Sequence, residues 1–249
     1  MVSESPGALV SRYSVGGLGP IYLVFSIAVL VAALLFASQI YFNDSSEGDV
    51  ALAVLSGILA FLGAFMMLRW RKYRNASVRI YEDGFVCFMN GRKRSYGWDE
   101  VKSVIEVDSR IQRHAMIRRL DLRIKLKNGA KCHMSRQVFP DMDKMADDLQ
   151  SHMAKYYVPK VIKEITSGKK ANFGAFKLDS DGVSRWYKHL PWQEIAGVSR
   201  YRAIIFINKI NKSSRWASAY IFRVPNYYIL MGVINEMASR REPGKGIRD

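Results

Sequence analysis

What this chain lacks narrows its chemistry first. It holds two cysteines, Cys87 and Cys132, and four histidines in 249 residues. Two cysteines make neither a disulfide framework nor a zinc pattern. Both lie in alternating apolar stretches, which points to buried free thiols in a reducing compartment. The histidines (His114, His133, His152 and His189) never fall at metal-ligand spacing, and adjacent Cys132 and His133 would point to opposite faces of a strand. The glycines are scattered as turn punctuation rather than gathered in a phosphate loop, and no serine sits in a nucleophile elbow. Asp141, Asp143, Asp147 and Asp148 open an expected helix, where negative charge complements the helix dipole. With no converging titratable groups, neither catalysis nor a metal or cofactor is expected.

Charge is missing altogether from two blocks, residues 21–42 and 50–68. Crossing a bilayer takes about 20 apolar residues at the helical rise, and each block is close to that. The short polar loop 43–49 separates them, so the pattern predicts a transmembrane hairpin over 21–70. A cleaved signal peptide is not expected: the start is nearly neutral, the first apolar block is too long, and a second follows at once. No ionisable group interrupts either span, which argues against a proton relay or ion pathway. Small residues at Ser56, Ala60 and Ala64, and at Ala28, Ala32, Ala33 and Ala37, suggest close packing of the two helices.

The charge is unevenly placed. Through Leu68 one base, Arg12, faces four acids; beyond it stand 37 Lys and Arg against 18 Asp and Glu, a net of +19. A region that basic is attracted to polyanions, and the nearest is an anionic membrane face. Arg69, Arg71, Lys72 and Arg74 crowd the exit of the second span, with Trp70 and Tyr73 as interfacial aromatics, whereas the 43–49 loop has acids and no base. Positive-inside then puts both termini in the cytoplasm of an inner-membrane protein.

From residue 77 the period becomes two. Short strands are expected at 77–82, 85–90, 93–98, 101–108, 120–127 and 131–136, with Asp83-Gly84 and Asn90-Gly91 as turns. A helix follows, with Met142, Met145, Leu149, Met153 and Tyr156 on one face, broken or restarted at Pro159. The pattern then returns: strands at 175–178, 183–189, 195–199, 203–210 and 216–224, then Pro225-Asn226 capping a helix that turns Ile229, Leu230, Val233, Ile234 and Met237 inward. The stretches EDGFVCFMNGRKRSYGWDEVKSV (82–104) and SDGVSRWYKHLPWQEIAGV (180–198) align by type, each with an acid-Gly turn and a Trp-x-Glu-aliphatic motif.

These residues resemble bacterial pleckstrin-homology-like domains. A two-span hairpin before such domains is similar to YcxB-like membrane proteins. The second copy matches better, through Phe173-Gly174-Ala175-Phe176 and Leu190-Pro191-Trp192-Gln193-Glu194-Ile195. The resemblance implies a membrane α-hairpin plus an α+β part: two tandem small antiparallel β-barrels, each closed by a C-terminal helix. The expected layout is a loose N-terminus (1–20), the hairpin (21–70), a first domain (77–157), a helical linker (158–170), a second domain (171–240) and a tail (241–249). It implies a cytosolic binding or scaffolding module and brings no catalytic residue.

Trp98, Trp192, Gly84 and Gly182 are expected in structural roles, with the tryptophans closing cores. The residues expected to meet anionic headgroups are Arg92, Lys93 and Arg94 on a hairpin, and Arg110, Arg113, Arg118 and Arg119 in a loop. Anionic lipid and a membrane or cytoplasmic protein are the expected partners. A homo-oligomeric component of a transport or envelope-stress system is the alternative, and a nucleic-acid-binding anchor is disfavoured.

Overall fold

The computed structural model describes residues 7–15, 18–42, 49–89, 91–108, 120–210 and 215–240. The two uncharged blocks form helices α1 (Leu18–Phe42) and α2 (Asp49–Tyr73), within which Ile21–Gln39 and Ala53–Tyr73 are each long and apolar enough to cross a membrane. Their flanks lack protein cover: Leu34 is 70% and Phe61 74% exposed. Apolar surface on that scale belongs in lipid, and the protein is membrane-associated. The helices meet along Ser26 and Ala33 on one side and Ser56, Leu59, Gly63 and Met66 on the other. A Cβ on Gly63 would come within 2.7 Å of Leu30 Cγ, so this glycine sets the approach. Ala60 and Ala64, expected at this seam, face outward instead.

The hairpin is an insertion within a sheet. Strand β1 (Leu9–Ser14) precedes α1 and pairs antiparallel with β2 (Ser77–Tyr81) beyond α2, Ser14 opposite Ser77. The Val15 N–H donates to the Ala76 carbonyl at 3.1 Å, closing the ladder where the helices leave. Residues 9–14 are therefore ordered, where a loose segment was expected. Strands β3 (Gly84–Met89) and β4 (Arg92–Gly97) complete a sheet of order β1-β2-β3-β4. A single 3-10 turn, Trp98–Glu100, leads to a separate sheet of β5 (Val101–Asp108), β6 (Leu120–Leu126) and β7 (Lys131–Ser135). Helix α3 (Met142–Thr166) then lays Met142, Met145, Leu149 and Met153 on the core. It runs unbroken through Pro159, because Ile162 and Ile165 beyond the proline are buried and hold the last turns.

The second half repeats this order. Strands β8 (Ala171–Phe173), β9 (Phe176–Leu178), β10 (Gly182–Arg185) and β11 (Lys188–Pro191) make four strands. After the 3-10 turn Trp192–Glu194 come β12 (Ile195–Tyr201), β13 (Ile204–Lys209) and β14 (Arg215–Tyr220), then α4 (Tyr227–Ser239). What sequence reads as one strand over 183–189 is two, folded back at Trp186-Tyr187. The hydrogen bonds repeat as well. Trp98 and Trp192 N–H donate at 3.0 Å to the Asp83 and Asp181 carbonyls, and Lys127 and Ile210 N–H donate at 2.9 Å to those of Glu100 and Glu194. A Cβ on Gly84 or Gly182 would lie 2.2 or 2.1 Å from the carbonyl oxygen of Tyr96 or Leu190. Neither glycine has a positive φ; each is needed for close strand approach, not for turn geometry.

The two closed barrels expected above are not formed. Among the described residues there are four separate antiparallel sheets, and no ladder joins β4 to β5 or β11 to β12. The 3-10 turns are the physical reason. At each, the chain stops exchanging bonds with the strand before it and is held instead by tryptophan: Trp98 Nε1 donates to the Glu82 carbonyl (2.7 Å) and Trp192 Nε1 to that of Asp179 (3.1 Å). Glu100 closes the first turn by accepting from Gly97 N–H at 2.9 Å. Each repeat is thus an open pair of sheets with a helix against it, and β4 and β7 remain edges.

One apolar core runs through both repeats, and a polar knot joins them. Glu106 on β5, 2% exposed, accepts from Arg200 of β12, from the Tyr227 phenol at 2.9 Å and from Gln150 of α3 at 3.2 Å. Burial, and then the Glu106 carboxylate, push the Tyr227 phenol up, so it stays a donor. Asn226 takes φ 58 and gives its side chain to β5 rather than to a helix cap: its Oδ1 accepts from Val104 N–H at 2.7 Å. The acids of α3 do more than offset a dipole. Asp147 accepts from Tyr228, Asp148 from Tyr13 on β1, and Asp143 pairs with Arg136; Asp141 makes no side-chain cap bond. Removing one partner of a buried ion pair costs about 3–5 kcal/mol, whereas losing one exposed hydrogen bond to a carboxylate costs about 1.5. Glu106→Ala should therefore destabilise the full chain in detergent micelles by about 3–5 kcal/mol in denaturant unfolding, against about 1.5 for Tyr228→Phe. Equal effects would mean that the knot does not join the halves.

Candidate anion-binding cleft at the hairpin end

The register of the first sheet locates its basic hairpin. Ser77 pairs with Ser14 on one side and Phe88 on the other, and Phe88 pairs with Lys93. The β3–β4 tip therefore lies at the edge from which the membrane hairpin departs. Met89 and Arg92 close it, with Gly91 at φ 72 supplying the positive angle. The second sheet brings its own end to the same place: Arg69 of α2 donates to Gln137 Oε1 at 2.8 Å, just past β7. Asp108 and Leu120 pair at that end, beside Arg136, whose N–H bonds the Leu120 carbonyl at 3.0 Å. Arg110, Arg113, Arg118 and Arg119 lie outside the described residues. Among the interfacial residues, Arg74 stands over the Trp70 ring (5.3 Å) and Lys72 over Tyr73 (5.3 Å); Arg71 is exposed.

Alternation on β4 splits its three cations. Arg94 is opposite Cys87, and Arg92 and Arg94 share the face of buried Tyr96, the face turned toward the core. Lys93 takes the other face, with Nζ 5.9 Å from the Phe88 ring centroid. Because the sheets do not close, the two arginines open onto a cleft of about 480 Å³ between β4 and β7. Lys131 and His133 line its far wall, and Cys87, Cys132, Met89 and Tyr96 its floor. No carboxylate lines it, and among the described residues none pairs with Arg92, Arg94 or Lys131. A contrasting depression of about 440 Å³ lies between the repeats, where Asp99 and Glu164 offset the lysines. His133 lies 3.7 Å from Asp121 Oδ2, whereas the charges of Arg92, Arg94 and Lys131 are uncompensated, which suits an anion; a metal cation is disfavoured. Among the described residues no group of His, Cys, Asp and Glu could hold a metal.

The cysteines are free and buried, Sγ to Sγ 3.8 Å, one from each sheet. The contact moves their titrations in opposite directions. The bond between them pushes Cys87 up, assisted by burial; the same bond pushes Cys132 down, against burial and with help from Arg94. Sequence reading identified Arg92 and Arg94 but missed Lys131, His133 and the thiols, which are distant in the chain. The available signal was parity: Arg92, Arg94 and Tyr96 alternate onto one face. Trp98 and Trp192 are wholly buried and far from solvent, as cores require.

Fold and cleft together define a membrane-associated protein with a two-helix hairpin set in a two-repeat α+β body. Residues 4–243 match DUF6585, described as a family of unknown function, and the chain belongs to it. No curated protein and no solved structure matches the chain.

The coupling between the two thiols has a measurable signature. In Cys87→Ala the bond that lowers Cys132 is gone, so alkylation of Cys132 by iodoacetamide should rise at higher pH than in the wild type. Arg94→Gln should shift the profile the same way by less. An unchanged profile in Cys87→Ala, followed by peptide mass spectrometry, would remove the coupling.

Proposed function

We propose that this protein is a non-catalytic recognition module of the inner membrane's cytoplasmic face, and that the β4–β7 cleft holds the phosphate of an anionic lipid headgroup. One observation carries the reading. Arg92 and Arg94 point to the core side of an edge strand, without acidic partners, at the end where the chain enters the hairpin. Guanidinium matches phosphate geometry bidentately, and both arginines are exposed, so a headgroup phosphate can reach them from solvent. The hairpin keeps the cleft near headgroups, so modest intrinsic affinity suffices through effective concentration. The bases at 69–74 against the acids of 43–49 support both termini being cytoplasmic. The scarcity of convergent acid–base groups supports a binding role over an enzymatic one.

Each basic contact near an anionic leaflet is worth about 1 kcal/mol, or about fivefold in affinity. Full-length protein in nanodiscs of mixed phosphatidylglycerol and phosphatidylcholine should enrich the anionic lipid, read by native mass spectrometry. Arg92→Gln or Arg94→Gln should each cut that enrichment about fivefold, while Lys93→Gln, on the opposite face, should cut it less. Equal enrichment in all variants would sink the assignment.

A further inference from the structure

The second repeat carries a feature that the cleft does not use. Its β10–β11 hairpin turns in two residues, Trp186 and Tyr187, which are 80% and 87% exposed. Two-residue turns with a positive first φ are ordinarily filled by glycine, yet Trp186 sits there at φ 53. A tryptophan placed in that conformation, 80% exposed, adds little to the core of the protein. Arg185 stands over its ring at 4.7 Å, and Lys188 follows Tyr187. The neighbouring β12–β13 turn repeats the device: Arg202 at φ 54 stands 5.3 Å from the centroid of exposed Tyr201. No acidic residue occurs in 182–191 or 198–207.

A chain of contacts links this end of the second repeat to the hairpin end of the first. Arg200, next to Tyr201, pairs with Glu106, and β5 runs from there to Asp108, next to the segment that meets Arg69. Ile221 N–H bonds the Ala203 carbonyl (2.9 Å) and Ala175 N–H that of Arg223 (3.1 Å), while Arg185 reaches the Phe176 ring at 5.7 Å. An amphipathic aromatic flanked by cations matches the chemistry of a bilayer's headgroup layer, apolar on one side and anionic on the other.

We propose that the β10–β11 tip is a second contact with the bilayer the hairpin crosses, with Trp186 and Tyr187 seated among anionic headgroups and Arg185 and Lys188 on their phosphates. This contact rests on the hairpin spanning the membrane and not on the β4–β7 cleft. It turns a one-point tether into two points, so the body lies along the surface rather than swinging from it.

The test uses the full chain in phosphatidylglycerol-containing nanodiscs, with bromine on the acyl chains near the headgroup or without it. Tryptophan emission is compared between wild type and Trp186→Phe, so that the difference reports Trp186. Brominated lipid should quench that share, and exchange to phosphatidylcholine should abolish the quenching. Arg185→Gln/Lys188→Gln, which keeps Trp186, should lose it too. Arg92→Gln/Arg94→Gln should keep it, separating failure here from failure of the cleft. Trp186 emission open to aqueous acrylamide and untouched by brominated lipid overturns the proposal. Protection from both quenchers overturns it as well, since protein, a second copy included, then covers the tip.

Discussion

The ladder between β1 and β2 is the constraint from which the rest follows. Ser14 and Ser77 face each other across it, so both ends of the excursion through α1 and α2 leave from one edge of one sheet. A chain that returns to its starting edge must cross a membrane an even number of times. Two apolar helices satisfy that condition, so ladder and hairpin demand the same topology for unrelated reasons. Joining ends across so long an insertion adds little closure cost, since the penalty grows only with the logarithm of length. The Arg69–Gln137 bond adds a second tie between helix and body.

The second repeat is held to this frame by polar rather than purely apolar contacts. Apolar surfaces of α3 and α4 tolerate many relative placements, whereas Glu106 is satisfied only when Arg200, Tyr227 and Gln150 converge on it. Asn226 adds a directional bond to β5, almost as another strand would. Burial through the joint core supplies the attraction, and the knot selects the angle.

Much of this was legible. The two long apolar helices follow from absence of charge over about 20 residues. The duplication shows in the paired Trp-x-Glu motifs, and the structure repeats their main-chain bonds, while Glu100 accepts from Gly97 N–H and Glu194 pairs with Lys209 instead. Closure was not legible, because the alternation of β4 and β5 is the same whether or not they pair. A single 3-10 turn decides it, and its tryptophan reads equally well as a barrel plug. The strand at 9–14 escaped notice because its partner lies beyond the whole hairpin. The turn at Trp186 escaped because turn rules look for glycine or asparagine, and here a bulky residue takes the positive angle. Of the cleft, the arginines were visible as a charge run, but their division between two faces needed the register.

The position of β1 also bears on how the molecule is made. Its residues are synthesised before the membrane segments, and their partner β2 only after them. The N-terminal strand must wait until both helices have been made, so the first sheet cannot finish folding before then. Cutting away the anchor to obtain a soluble body would remove that strand too. It would leave the N–H and C=O row of β2 open along an edge, a template for pairing between molecules. In this protein the first sheet can close only after its anchor has been made.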